Sequence, residues 1–262
     1  MKNSHIQVNE GQLLCKLQLT DAIAEVREHK GYRWLATKKT EQSPLVFQSL
    51  INLNNPTELV LPYTRTMTLF LLWKQSSINL LNLGMGVGSI ETSLEKHNIS
   101  LTSVEQSKNI TEIAKDYFHL PTKISLNIDT AEAFLDKTNQ RFDVILCDIF
   151  NSQDHSSCVL KVDFYHKLKQ QLNEDGVIFL NLLPKDAAQL QQILLLIRQV
   201  FNYVTLVEYP DHKNIVLIIS IKKIPDKQQL LDFNAKHVQE QSFDFQNIIT
   251  SMLYIPAKES QP

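Results

Sequence analysis

The sequence predicts an α/β fold: a small N-terminal β domain, then a doubly wound sheet with one reversed strand. Three observations predict it. Strand-like and helix-like segments alternate from Ser77 onward, as parallel strands joined by crossover helices do. Residues 142–150 are apolar on both faces, the pattern of a central parallel strand. Residues 203–209 and 214–222 are two apolar runs with too short a connection for a parallel crossover, so they read as an antiparallel hairpin at the sheet's edge.

The elements follow in order. Residues up to 57 read as β. Residues 22–36 have two extended halves around the turn signal His29-Lys30-Gly31, and 45–51 is a further apolar run. Pro62 opens a helix over 63–74, with proline in its first turn. Residues 77–84 form an apolar strand, 89–98 a helix, 101–105 a short strand and 109–118 a helix. Ile124, Leu126 and Ile128 alternate as a strand. After strand 142–150 come a helix at 163–172, a strand at 176–183, an amphipathic helix at 186–201 and the hairpin. Beyond Pro225 the chain reads as a polar helix and a soft tail. The units are therefore 1–57, 58–224 and 225–262.

Composition narrows the function classes. The 262 residues are 43% hydrophobic, enough for a full core, which excludes disordered and collagen-like chains. The 26 Lys+Arg against 28 Asp+Glu, without a long basic run, argue against nucleic-acid binding. The longest purely aliphatic run covers residues 193–197, against about 20 for a membrane span. No signal peptide is read behind Met1-Lys2-Asn3-Ser4-His5. Three cysteines, an odd and sparse set, point to a reducing cytoplasm.

Glycine is the most informative residue. The chain has six, where ~7% would give roughly eighteen. Three of the six are Gly84, Gly86 and Gly88, between an apolar strand and a helix. Glycines there permit a tight turn and close approach of a ligand to the backbone. The pattern is G-x-G-x-G. It is not the dinucleotide G-x-G-x-x-G, and no Walker lysine follows. Glu105, about twenty residues on at the next strand's end, can accept both ribose hydroxyls. A tight turn and a surface glutamate would explain either feature alone. Together they favour a phosphate-free nucleoside such as S-adenosylmethionine. Asp148 ends the fourth strand of the sheet beside the topological switch point, and the polar stretch 151–158 follows as a loop over the site. Asp143 sits at that strand's entrance. Cys147 reads as a small buried residue and Cys158 as a loop thiol. No metal-ligand spacing and no serine nucleophile elbow appear, so no metal is expected.

With these residues in place, residues 31–220 resemble the spermidine synthase family of aminopropyltransferases. Gln48-Ser49 resembles the glutamine that reaches the nucleoside, and Tyr63 and Met67 open the helix where the family has Tyr-His-Glu-Met. Gly84, Gly86 and Gly88 stand in its glycine loop, Glu105 as its ribose carboxylate and Asp148 as the first aspartate of Asp-x-x-Asp. Phe164-Tyr165 falls at the family's spacing, and Tyr209-Pro210 resembles the Tyr-Pro whose tyrosine contacts the amine. There are departures. The second aspartate is Asn151, the Pro-x-Gly-Pro loop is Ser152-Gln153-Asp154-His155, and the helix His and Glu are Thr64 and Arg65. The Asp-Ala that contacts the adenine amine aligns with Thr130-Ala131, with Asp129 one place early.

The resemblance implies a small N-terminal β domain on a class I methyltransferase-like Rossmann domain. It implies transfer of an aminopropyl group from decarboxylated S-adenosylmethionine to a polyamine such as putrescine, without metal, in a possible homodimer. Asp148 is the expected base and amine anchor. Gln48, the three glycines, Glu105, Asp129 and Thr130 are expected on the nucleoside, and Tyr63, Asn151 and Tyr209 on the amine. Two alternatives stay open: an S-adenosylmethionine-dependent methyltransferase, and a non-catalytic nucleoside-binding homologue. Arg65 bears on the choice, because a cation near the methionine end would favour the carboxylated donor.

Overall fold

The computed structural model describes residues 6–74, 76–150, 157–240 and 243–256. Two sheets organise them. The first holds β1 (Gln12–Gln18), β2 (Ile23–His29), β3 (Tyr32–Lys38) and β4 (Val46–Asn52), antiparallel in that order. His29 pairs with Tyr32, so Lys30 and Gly31 form the two-residue turn, both at positive φ (47° and 78°). That geometry matches the right-handed twist of the flanking strands.

The second sheet runs β12-β10-β11-β9-β8-β5-β6-β7. Its strands are β5 (Ile78–Leu83), β6 (Ile99–Glu105), β7 (Ser125–Ile128), β8 (Phe142–Cys147), β9 (Leu172–Leu182), β10 (Tyr203–Tyr209), β11 (His212–Ser220) and β12 (Leu253–Ile255). Strands β5 to β9 are mutually parallel, and β11 runs antiparallel to both β9 and β10. The expected hairpin therefore forms, with β11 inserted between β9 and β10. The helices are α1 (Pro62–Met67), α2 (Ser89–Leu94), α3 (Lys108–Tyr117), α4 (Ala131–Lys137), α5 (Val162–Gln170), α6 (Ala187–Arg198), α7 (Lys227–Glu240) and α8 (Gln246–Ser251).

The period-two alternation of the central strands feeds two cores. Ile145, Cys147, Ile178 and Leu180 pack with Phe164, Leu168, Ile193 and Ile197 of α5 and α6. Val144, Leu146, Val177 and Phe179 pack on the other face with Met67, Phe70, Leu230 and Ile249. A third cluster joins the two sheets. Met85 and Val87, the residues between the glycines, pack with Val26, Leu35, Ile51, Ile113 and Phe118. The small sheet thus rests on the glycine loop and α3.

Several expectations are corrected. The helix over 63–74 splits into α1 and a 3₁₀ turn at Leu69–Leu72; the Thr68 amide and hydroxyl both turn back to the Arg65 carbonyl. Strand 142–150 stops at Cys147, although the Asp148 amide still donates to Leu83 O at 2.8 Å. β1 and α4 form where no element was expected. The chain after Pro225 is more than a helix and a soft tail: it adds α8 and then β12, which pairs with β10. Cys158 is buried in a 3₁₀ turn rather than exposed as a loop thiol.

Candidate active site

The carboxyl ends of β5, β6 and β8 meet the N-terminal sheet across an open cleft of about 2060 Å³. Gly84 and Gly86 line it. At Gly84 (φ 88°) a Cβ would lie 2.2 Å from the Asp148 carbonyl oxygen, so the loop and the end of β8 approach as closely as glycine alone permits. Gly88 lies outside the cleft lining. It caps α2 in a left-handed conformation, with Leu120 packed against its α-carbon.

Glu105 is almost fully buried. Gly86 N–H donates to its Oε2 at 3.0 Å and Ser107 N–H to its Oε1 at 2.9 Å. Burial pushes the Glu105 carboxyl up from its ordinary value, and the amides of Ser107, Gly86 and Gln106 oppose that rise by bonding the charged form. Each oxygen keeps a second lone pair for a ligand hydroxyl. Beneath the loop, Glu91 is buried and accepts from Asn82 Nδ2 and Ser103 Oγ, both at 2.7 Å, while its Oε2 has no partner. Burial pushes this carboxyl up as well.

Asp148 stands at the centre of the cleft. Asn181 Nδ2 on β9 donates to its Oδ1 at 2.7 Å, and Asn214 Nδ2 on β11 donates in turn to Asn181 Oδ1 at 3.1 Å. The Tyr63 hydroxyl also bonds the carboxylate. Loss of water pushes Asp148 up to about 6; the bonds from Asn181 and Tyr63 hold it from rising further, and the charge of Glu105 adds to the rise. Burial and the neighbouring Asp148 charge push the Tyr63 phenol well above its usual range. Tyr209 lines the same region and donates to Thr66 Oγ1 at 2.5 Å.

Other expected residues have separate partners. Gln48 lines the cleft from β4 and donates to Thr37 Oγ1 at 2.9 Å. Asp129 and Thr130 line it beyond β7. Asp129 is paired with Lys137 Nζ at 2.6 Å, which holds its carboxyl below the usual value, and Thr130 caps α4 through the Ala133 amide. Asn151 lies outside the described residues. Arg65 lines the cleft, but its guanidinium bonds Leu59 O, sits 3.6 Å from Glu58 and stacks over Phe243 at 5.3 Å. Among the described residues no three His, Cys, Asp or Glu side chains gather as a metal-ligand group.

The family profile of the spermine/spermidine synthase domain matches residues 62–224. The chain belongs to this family. A curated relative, the polyamine aminopropyltransferase of Chromobacterium violaceum, is 29% identical over 143 residues, covering 51% of this chain and 53% of that protein. The chain thus matches about half the length of that relative. In three dimensions it is similar to a probable spermidine synthase from Corynebacterium glutamicum (TM-score 0.71, 16% identity, 95% of this chain and 91% of that one). It is also similar to a spermidine synthase solved with the transition-state analogue AdoDATO (TM-score 0.63, 15% identity, 93% and 84%). These two likenesses bear on the fold, and they extend it beyond the profile match into the N-terminal sheet.

For a spermine/spermidine synthase family chain, the sequence reading missed the amides. Asn181 is a polar residue near the carboxyl end of an otherwise apolar strand, and Asn82 is a second. An amide inside an apolar run has to find a partner when buried, and that was the available signal.

Proposed function

We propose that the chain transfers an aminopropyl group from decarboxylated S-adenosylmethionine to an amine acceptor of the polyamine class, putrescine among the candidates. Family membership supports the class of chemistry. The observation that carries the reading is Asp148, a carboxylate with its pKa raised to about 6, beside the glycine loop and between Tyr63 and Asn181.

In this reading Gln48, Gly84, Gly86, Glu105, Asp129 and Thr130 hold the nucleoside, with Gly88 supporting the loop. Tyr63, Asn151 and Tyr209 face the amine. The amine nitrogen attacks the methylene next to the sulfonium sulfur. A C–N bond forms, the C–S bond breaks, methylthioadenosine leaves, and one proton is released from nitrogen. An alkylammonium near 10.4 faces an ordinary aspartate near 3.9, a gap of about 6.5. At about 6, Asp148 narrows that gap to roughly 4. Positioning of the amine and exclusion of water supply the remainder.

The test is to incubate the purified chain with decarboxylated S-adenosylmethionine and a panel of di- and triamines and to follow methylthioadenosine. The expected result is methylthioadenosine in equal amount to the alkylated amine. Methylthioadenosine binding without turnover on any amine would contradict the reading. So would S-adenosylhomocysteine formed from the carboxylated donor.

A further inference from the structure

The acceptor end of the cleft follows from sheet order. β11 runs antiparallel to β9, so its first residues lie at the same edge as Asp148. Moving outward from Asp148 on β8, the next strands are β9, β11 and β10. Asn181 and Asn214 occupy the first two of these, and both are neutral carboxamides. The turn joining β10 to β11 carries Asp211, between Tyr209 and its pairing partner His212. Asp211 lines the cleft and is exposed to it. Its carboxylate has no hydrogen bond or ion pair among the described residues. This contrasts with Asp129 at the other end, which Lys137 neutralises.

We propose that Asp211 is a specificity-determining residue that holds the far cation of a long acceptor, with Asp148 holding the reacting amine and the two carboxamides spanning the neutral chain between. The proposal rests on the aminopropyl-transfer reading for the identity of the acceptor. β8 and β11 are two strand spacings apart, about 10 Å at ~4.8 Å each, and Asp211 lies beyond the end of β11. The two nitrogens of 1,4-diaminobutane are five bonds apart, about 6 Å when extended on ~1.5 Å bonds. A four-carbon diamine cannot reach both carboxylates. A chain with nine or more bonds between nitrogens, about 11 Å, approaches the required span.

The experiment measures binding of 1,4-diaminobutane, 1,8-diaminooctane, 1,10-diaminodecane and 1-aminooctane to the chain saturated with methylthioadenosine, by titration calorimetry. The same amines are run in the turnover assay. Both longer diamines are expected to bind about fivefold tighter than 1-aminooctane and than the short diamine, the size of a solvated ion pair. Asp211→Asn is expected to erase that advantage and to leave 1,4-diaminobutane and methylthioadenosine binding unchanged. Equal affinity for long diamine and long monoamine, or a long-diamine preference that survives Asp211→Asn, would overturn the proposal. Absence of methylthioadenosine release with every amine would sink the aminopropyl reading instead, and the binding series would still decide the role of Asp211.

Discussion

The two halves of the cleft are built from different materials. On the donor side the ligand-facing groups are set by backbone: the left-handed turns of Gly84 and Gly86, and a carboxylate, Glu105, fixed by main-chain amides from Gly86 and Ser107. On the acceptor side they are set by side chains bonding side chains, from Asn214 to Asn181 to Asp148, with Tyr63 and Tyr209 closing the group. Backbone geometry constrains residue identity tightly, because a Cβ at Gly84 would meet the Asp148 carbonyl at 2.2 Å. A side-chain relay can be re-cut by single substitutions. The donor half is therefore the part that resembles the family residue for residue, and the acceptor half is where Asn151 departs.

The contrast breaks most sharply at Asp148. Asp148→Asn should lower kcat by about 10²–10⁴ while leaving the methylthioadenosine Kd within twofold; retained turnover in the assay above would remove Asp148 as base. In the native chain kcat/KM should fall as pH drops through about 6, because the carboxylate becomes protonated. The stability effect has the opposite sense. The folded state holds this proton more tightly than the unfolded chain, so stability is lost as pH rises from about 4 to about 6. Asp148→Asn should accordingly raise Tm above pH 6, with the gain fading below pH 4 in a melting series.

On the donor side, Glu105→Gln should weaken methylthioadenosine binding about 10- to 100-fold, the worth of charged hydrogen bonds at about 1.5–3 kcal/mol. Turnover at saturating donor should change far less. A parallel loss in kcat would blur the division between the halves. Gly84→Ala should destabilise the fold by about 2 kcal/mol or more, read as a lowered denaturation midpoint, because φ 88° strains any side chain and the β8 carbonyl has to move. The smallest effect belongs to Asn214→Ala. Loosening Asn181 should cost about fivefold in kcat/KM and move the pH midpoint upward, since the Asn181 bond is what restrains the Asp148 pKa.

Legibility in the sequence follows the same division. The glycine triplet could be read because glycine is scarce elsewhere, and the β2–β3 turn because Lys30-Gly31 sits between apolar halves. Glu105 and Asp148 could be read because strand ends are where an open sheet binds ligands. The bond from Asn181 to Asp148 could not be read, since its partners are 33 residues apart and meet only through strand pairing. The pairing of Asp129 with Lys137 needed α4, an element too short to show a period. Three-residue β12 exists only by pairing with β10, and tertiary contact rather than local pattern creates it.

The central claim is that a phosphate-free adenosyl thioether occupies the tips of β5, β6 and β8. Titration calorimetry of the native chain with methylthioadenosine tests it most directly. The account predicts a saturable isotherm with one site per chain, weakened by Glu105→Gln and unchanged by Asp211→Asn; a flat titration, or binding indifferent to Glu105→Gln, would contradict it.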